Sequence, residues 1–396
     1  MNNTPNGNRK HIVILGKTNS GKSSLINRLV GQDVALVSEM EGTTTDPVQK
    51  AMELLPVGPV VFIDTAGLCD KTDLGDIRVK KTYEYMKRAD IAIYVADVSK
   101  KNDEAFLKAK KLFLKYNIPY ITVYNKIDKI KENDLIVLKK EHKNSIFIST
   151  LNDDGIEELK EKLIDIIKKE EEDISLVGGL LPYGSKVILV VPVDSEAPKG
   201  RLILPQVQCI RDCLDNGIKS YVVRDTELAE ALEEIKGIDL VITDSQAFKK
   251  VSEIVPSNIK ITGFSMLFAR QKGDIQEFLK GVAAVKNLKS GDRVLISESC
   301  THNVSHEDIG RIKIPKLLNQ FVGGEIEFDF EVGHNFPEDI EKYKLIIHCG
   351  ACMINRKTVL NRIKECKNKN IPITNYGVIL SFLTNTLDRS RSIFET

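Results

Sequence analysis

From residue 11 onward, short unbroken apolar runs alternate with stretches whose apolar positions recur every three or four residues. The runs HIVILG (11–16), PVVFID (59–64), IAIYVAD (91–97), PYITVYNK (119–126) and SIFIST (145–150) read as strands buried on both faces. After the first of them, Leu25, Ile26 and Leu29 form one apolar stripe on a helix starting near Lys22. GIEELKEKLIDIIKKEEED (155–173) is an amphipathic helix that dissolves into charge, which predicts a domain boundary after residue 172. A second segment begins with SKVILVVPVDSEAPKGRLILPQVQCIRDCLDNG (185–217). It continues through KSYVVRD (219–225), a helix over 227–234 and the strand IDLVITD (238–244). Between 261 and 270 the two periodicities cannot be separated, and a third segment follows with DRVLISESC (292–300) and KLIIHCG (344–350). This alternation predicts an α/β chain of three domains, 1–172, 173–264 and 265–396, with mainly parallel sheets.

Composition narrows the setting. At 396 residues the chain exceeds one hydrophobic core, and a net charge of +1 argues against a nucleic-acid footprint. No apolar stretch approaches the roughly 20 residues of a membrane span. The polar start MNNTPNGNRK lacks a signal-peptide core. A cytoplasmic location is therefore expected, where the odd count of seven cysteines suits metal binding better than disulfides.

GKTNSGKS (16–23) fits G-x-x-x-x-G-K-[ST] between a predicted strand and a predicted helix. Gly16, Ser20 and Gly21 let backbone N–H groups curl around a β-phosphate, Lys22 reaches the β- and γ-phosphates, and Ser23 offers a hydroxyl to Mg²⁺, with Ser24 beside it. In DTAG (64–67), Asp64 can hold Mg²⁺ through water and Gly67 can read the γ-phosphate. In NKID (125–128), Asn125 and Lys126 precede Asp128, whose carboxylate can accept from N1 and N2 of guanine, a pattern adenine lacks. GTTTD (42–46) supplies a loop threonine for Mg²⁺, and Ser149 and Thr150 in STL are placed for a backbone contact to guanine O6.

In this order the five stretches resemble the motif set of translation-factor-type small GTPases, so a P-loop GTPase domain binding GTP or GDP with Mg²⁺ is expected, followed by two smaller α/β domains. Leu68 stands where Ras-like proteins carry the water-orienting glutamine. That is similar to the tRNA-modifying MnmE and Era-like group, and the resemblance implies that Asn19 helps hold K⁺ in place of an arginine finger. It also implies that Thr44, rather than Thr43, ligates Mg²⁺, although Thr45 stands where that group has arginine. Lys22, Thr44, Asp64 and Gly67 are the expected catalytic set for slow, Mg²⁺-dependent, K⁺-stimulated hydrolysis.

The third segment carries other chemistry. ESCTHN places Cys300 and His302 at the end of one strand, and HCGAC places His348, Cys349 and Cys352 at the end of another. Neighbouring parallel strands deliver such loops to one edge, so the two can meet at one metal. Three thiolates with an open position suit a [4Fe–4S] cluster, and three thiolates with a histidine equally make a zinc site. Spacing does not choose between them.

The GTPase motifs, the α/β middle segment and the C-x-H … H-C-x-x-C pattern together resemble the [FeFe]-hydrogenase maturation GTPases. That resemblance implies a [4Fe–4S] cluster on Cys300, Cys349 and Cys352. It also implies a homodimer held by the middle domain, and a scaffold or carrier role for the transferable di-iron precursor of the hydrogenase active site. Radical-SAM maturases and the apo-hydrogenase would be its partners, with no nucleic acid and no membrane. A cluster on three cysteines leaves one exchangeable iron ligand, for which His302, His348, Glu307, Asp308 and His306 are candidates. Either of the first two histidines could instead donate to a sulfide.

The rival reading is a ribosome- or tRNA-associated GTPase with a structural zinc module, which predicts a basic face that the neutral charge does not support. A redox sensor whose cluster gates turnover is a third, and the absence of C-x₃-C-x₂-C argues against a radical-SAM enzyme. Cys209, Cys213 and Cys366 read as core residues, Cys69 as a switch-loop residue, and the lysine runs near 108–115 and 364–369 as solvated helix faces.

Overall fold

The computed structural model of the chain describes residues 6–31, 38–40, 47–65, 73–100, 104–170, 174–192, 202–299, 308–351 and 353–395. They fall into two compact units, Met1–Glu172 and Asp173–Thr396. Thr44, Gly67, Leu68, Cys69, Cys300, His302, His306, Glu307 and Cys352 lie outside the described residues.

The first unit is built on seven strands: β1 (Lys10–Leu15), β2 (Ser38–Met40), β3 (Val48–Leu54), β4 (Gly58–Asp64), β5 (Ile91–Asp97), β6 (Tyr120–Asn125) and β7 (Ile146–Ile148). Their order is β2-β3-β4-β1-β5-β6-β7. β1 lies parallel between β4 and β5, and only the β2–β3 and β3–β4 pairs are antiparallel. Alternate β1 side chains face opposite cores. Ile12 and Ile14 pack with Leu25 and Leu29 of the helix Lys22–Gly31 and with the helix Ile156–Glu170. Val13 and Leu15 pack with Met86 and with Ala109 and Phe113 of the helix Glu104–Lys115. Two-sided burial is why these strands read as unbroken apolar runs.

The second unit holds two four-stranded, all-parallel sheets. The first is β8 (Lys186–Val190), β9 (Lys219–Val223), β10 (Leu240–Thr243) and β11 (Lys260–Gly263), in the order β11-β10-β8-β9. The second is β12 (Arg293–Glu298), β13 (Glu327–Val332), β14 (Leu345–His348) and β15 (Ile373–Asn375), in the order β13-β12-β14-β15. In each, the chain winds outward in one direction and then restarts on the far side of its first strand, between β8 and β10 or between β12 and β14. Crevices at the carboxyl ends of such strand pairs are where open α/β sheets bind ligands.

The ambiguous stretch 261–270 is β11 running into the helix Phe264–Lys272 with no linker. Phe264, Leu267 and Phe268 pack on the first sheet while Met266 and Ala269 pack on the second, so the expected boundary at 264/265 falls inside shared packing. The end of the chain returns to the first sheet. The Thr262 hydroxyl donates to Ser390 O at 2.8 Å, and Ile393 is buried beside Val187 and Leu189. Arg389 donates to the carbonyls of Ser252, Val255 and Pro256, the last at 3.0 Å. Among the described residues no helix is long and apolar enough to cross a membrane.

Candidate functional site

In the first unit the strand register gathers the motif residues at one edge. Ile14 pairs with Asp64, Asp97 with Asn125, and Asn125 with Ile148, so the loops after β1, β4, β5, β6 and β7 leave side by side. Gly16 and Gly21 are required by close approach. A Cβ on Gly16 would stand 2.3 Å from Val95 O, and one on Gly21 2.2 Å from Asn125 Nδ2. Both have positive φ, +152° and +95°. The loop they frame is tight enough to bury Ser20, whose hydroxyl has no hydrogen-bond partner.

Lys22 folds over this loop and donates to Gly16 O and Lys17 O, each at 3.1 Å. Burial pulls its ammonium below the ordinary lysine range, and the Asp64 charge offsets part of that. Ser23 Oγ donates to Asp64 Oδ2 at 2.6 Å, which brings together the hydroxyl and carboxylate oxygens that a hard cation such as Mg²⁺ takes. Ser24 is exposed in the same first turn.

Asn125, fully buried, links three loops. Its Nδ2 donates to Ser20 O at 3.0 Å and to Thr150 Oγ1 at 3.4 Å. Its Oδ1 accepts from the N–H groups of Lys126 at 2.8 Å and Thr150 at 3.2 Å. Ser149 Oγ donates to Asp128 Oδ1 at 2.6 Å, aiming the exposed carboxylate expected to read guanine. Asn19 sits at φ +63°, and its carbonyl accepts from Lys126 Nζ at 2.5 Å.

Two partners were missed in the sequence. Asp97 accepts from Lys126 Nζ at 2.7 Å and from Ser99 N at 3.1 Å and Ser99 Oγ at 2.6 Å. Burial works against its charge, but Lys126 and Ser99 outweigh it and hold the carboxyl at about 2. An acidic residue closing a buried strand, as Asp64 does, was the signal. Arg28 donates to Thr150 O and Asp153 Oδ2, both at 3.1 Å, and ties the first helix to the loop after β7. Nothing in the helical pattern marked it.

In the second unit β12 and β14 are adjacent, with Ser297 paired to His348. The ends of β12 and β14, the strands that precede Cys300 and Cys352 in the sequence, thus lie together at the crevice where the strand order reverses. Of that set the described residues include Cys349, His348 and Asp308. Cys349 Sγ accepts from Ser299 N at 3.1 Å and Ala351 N at 3.4 Å, and is hydrogen-bonded to Ser299 Oγ at 2.9 Å. Ala351 reaches this position at φ +59°. Such a cradle suits a thiolate, the form in which cysteine binds metal.

His348 is fully buried with both ring nitrogens engaged. Nδ1 lies 2.8 Å from Cys349 O and Nε2 lies 2.8 Å from Arg362 NH1. Arg362 can only donate, so Nε2 accepts and Nδ1–H donates. Burial, with Arg362 adding to it, lowers the imidazole to about 3, so it is neutral. Arg362 also donates to Ser297 Oγ at 3.1 Å, Gly333 O at 3.0 Å and Asn335 O at 3.2 Å. Val359, Arg362, Ile363 and Cys366 share the buried face of the helix Arg356–Asn368, a spacing the neighbouring lysines concealed. Asp308 caps its own turn by accepting from Arg311 N at 2.8 Å. Among the described residues no three His, Cys, Asp or Glu side chains form a metal-holding group.

The chain matches the sequence model of a 50S ribosome-binding GTPase over residues 11–126. It matches the hydrogen maturase F dimerization domain over 176–273 and the hydrogen maturase F tetramerization domain over 276–393. These two meet at the end of the helix Phe264–Lys272 rather than at its start. Among curated proteins, the tRNA modification GTPase MnmE of Legionella pneumophila (strain Paris) is 38% identical over 158 residues, 39% of this chain and 34% of that protein. MnmE of Cytophaga hutchinsonii is 36% identical over 176 residues, 44% of this chain and 38% of that protein. The chain therefore spans little more than a third of these relatives. Among solved structures, the G domain of the T. maritima FeoB iron transporter is 27% identical with a TM-score of 0.31, covering 40% of this chain and 98% of that one. With a P-loop GTPase domain followed by both hydrogen maturase F domains, the chain belongs to the hydrogen maturase F family of GTPases.

Proposed function

We propose that this chain is a GTP-hydrolysing scaffold or carrier that binds a [4Fe–4S] cluster and assembles or delivers the di-iron precursor of the [FeFe]-hydrogenase active site to the apo-hydrogenase. The hydrogen bonds of Ser299 and Ala351 to Cys349 Sγ, at the ends of the adjacent strands β12 and β14, support the reading. Cys300, Cys349 and Cys352 would hold the cluster. His348, with both nitrogens engaged, orients the Cys349 loop and leaves the exchangeable position to His302, His306, Glu307 or Asp308. When bound, the cluster offers one iron whose ligand exchanges, through which a di-iron unit is attached and released.

In the nucleotide site, Asp128 and the Ser149–Thr150 loop select guanine, and the loop from Gly16 to Gly21 wraps the β-phosphate. Lys22 exchanges its carbonyl partners for β- and γ-phosphate oxygens, and its charge stabilises the oxygens as the bond to the γ-phosphate breaks. Ser23 and Asp64 would hold Mg²⁺ with Thr44, and Asn19 would hold K⁺. Held by these residues, the cations would supply positive charge to offset that developing between the β- and γ-phosphates. Gly67 would report the γ-phosphate to the adjoining switch. In our working division residues 1–172 hydrolyse GTP, 173–264 form a homodimer and 265–396 hold the cluster, in the cytoplasm, with radical-SAM maturases and the apo-hydrogenase as partners.

The test is metal content and EPR on full chain purified and reconstituted without oxygen, beside Cys349→Ala. About four irons per chain and a reduced-state signal, both lost in the variant, are expected for a [4Fe–4S] cluster. One tight zinc without sulfide overturns the proposal.

A further inference from the structure

We propose that Ser299 sets the reduction potential of the cluster held by Cys349, an inference that rests on the cluster reading above. Ser299 is the residue after β12, is buried, and meets Cys349 Sγ twice, through its backbone N–H at 3.1 Å and its hydroxyl at 2.9 Å. An iron-bound thiolate can only accept, so the hydroxyl donates. Reduction adds one electron, part of whose charge settles on the ligating sulfur. A donor at that sulfur therefore favours the reduced state over the oxidised one and raises the potential. The couple is a single electron with no bond broken, and the hydroxyl keeps its proton.

The geometry is held from both sides. Cys349 N donates to Ser297 O at 2.9 Å, which extends the β12–β14 ladder and brings the sulfur beside Ser299. Behind it, buried Arg362 grips Ser297 Oγ and His348 Nε2, and His348 donates on to the Cys349 carbonyl. Donor and acceptor thus move as one body. The two backbone donors survive replacement of Ser299 by alanine or threonine, so the hydroxyl is the adjustable element of the cradle.

The experiment is an anaerobic redox titration of full-length, reconstituted protein with dithionite and mediator dyes, read by EPR, for the unsubstituted chain, Ser299→Ala and Ser299→Thr. Ser299→Ala should keep its iron and its signal while the reduced-to-oxidised ratio at the unsubstituted midpoint falls about tenfold, equal to about 59 mV for one electron. Ser299→Thr, which keeps the hydroxyl, should return the ratio to within about twofold. Equal midpoints in the unsubstituted chain and Ser299→Ala overturn the proposal. Loss of iron from Ser299→Ala overturns it too, by making the serine purely structural. An unsubstituted chain without iron sinks the cluster reading itself, which the iron assay reports separately from the midpoint.

Discussion

Replacing Asp97 by asparagine keeps the side chain's shape and removes its charge. In the native chain this carboxyl is held at about 2 against an ordinary 3.8, which corresponds to about 2 kcal/mol of folding free energy at neutral pH. Because the native value is depressed, the contribution is complete above about pH 5 and is lost as pH falls toward 2. The substituted amide can still accept from Lys126, but it no longer neutralises an ammonium whose side chain is mostly buried and that also grips Asn19 O. Calorimetry on the full chain isolates the relevant transition as the one that GDP shifts upward. At pH 7, Asp97→Asn should lower it by about 4–8 °C, given roughly 2–4 °C per kcal/mol for a unit of this size. The gap should narrow to about half at pH 3. GDP affinity should also drop, because Lys126, freed from Asp97, no longer holds Asn19 O and the phosphate loop as firmly. A gap that widens as pH falls, or a transition unmoved at pH 7, would refute the reasoning.

Gly21→Ala forces a Cβ to within 2.2 Å of Asn125 Nδ2 at a φ of +95°. The Asn125 links between Ser20 and Thr150 should break, and guanine nucleotide binding by isothermal titration should fall by at least about a hundredfold, as expected for about 3 kcal/mol of combined strain and lost bonds. Burial pushes the Cys366 thiol up to about 12. Its alkylation by iodoacetamide at pH 8, read by peptide mass spectrometry, should run about a thousandfold slower in the folded chain than in denaturant. Labelling at an unfolded rate would place Cys366 outside the core.

Every strand anticipated from an apolar run is present within a residue or two, because β1, β5 and β14 are buried along almost their whole length and β4 and β12 along most of theirs. β13 shows what such a pattern hides. Its EFDFEV alternates acids with aromatics at the rim of a sheet, where neither face is fully covered. β3 mixes Gln49, Lys50 and Glu53 into a strand whose side chains are mostly only partly covered. β15 is three residues long, too short to carry any period. The motif loops of the nucleotide site were legible because each is a contiguous stretch with fixed chemistry. The Asp97–Lys126 and Ser299–Cys349 contacts were not, since each depends on the register of two neighbouring strands.

The return of the chain end to the first sheet sets a timetable for synthesis. β11 ends at residue 263, but Ile393, which completes the core over Val187 and Leu189, is made 130 residues later. At roughly 5–20 residues per second, the middle of the chain waits about 7–26 s on the ribosome with an apolar face uncovered. The GTPase unit needs no such late residue and can close first. If the middle segment joins two copies as proposed, the surface it offers rests on a core that closes only once residue 393 has been made, after the cysteine-bearing stretches.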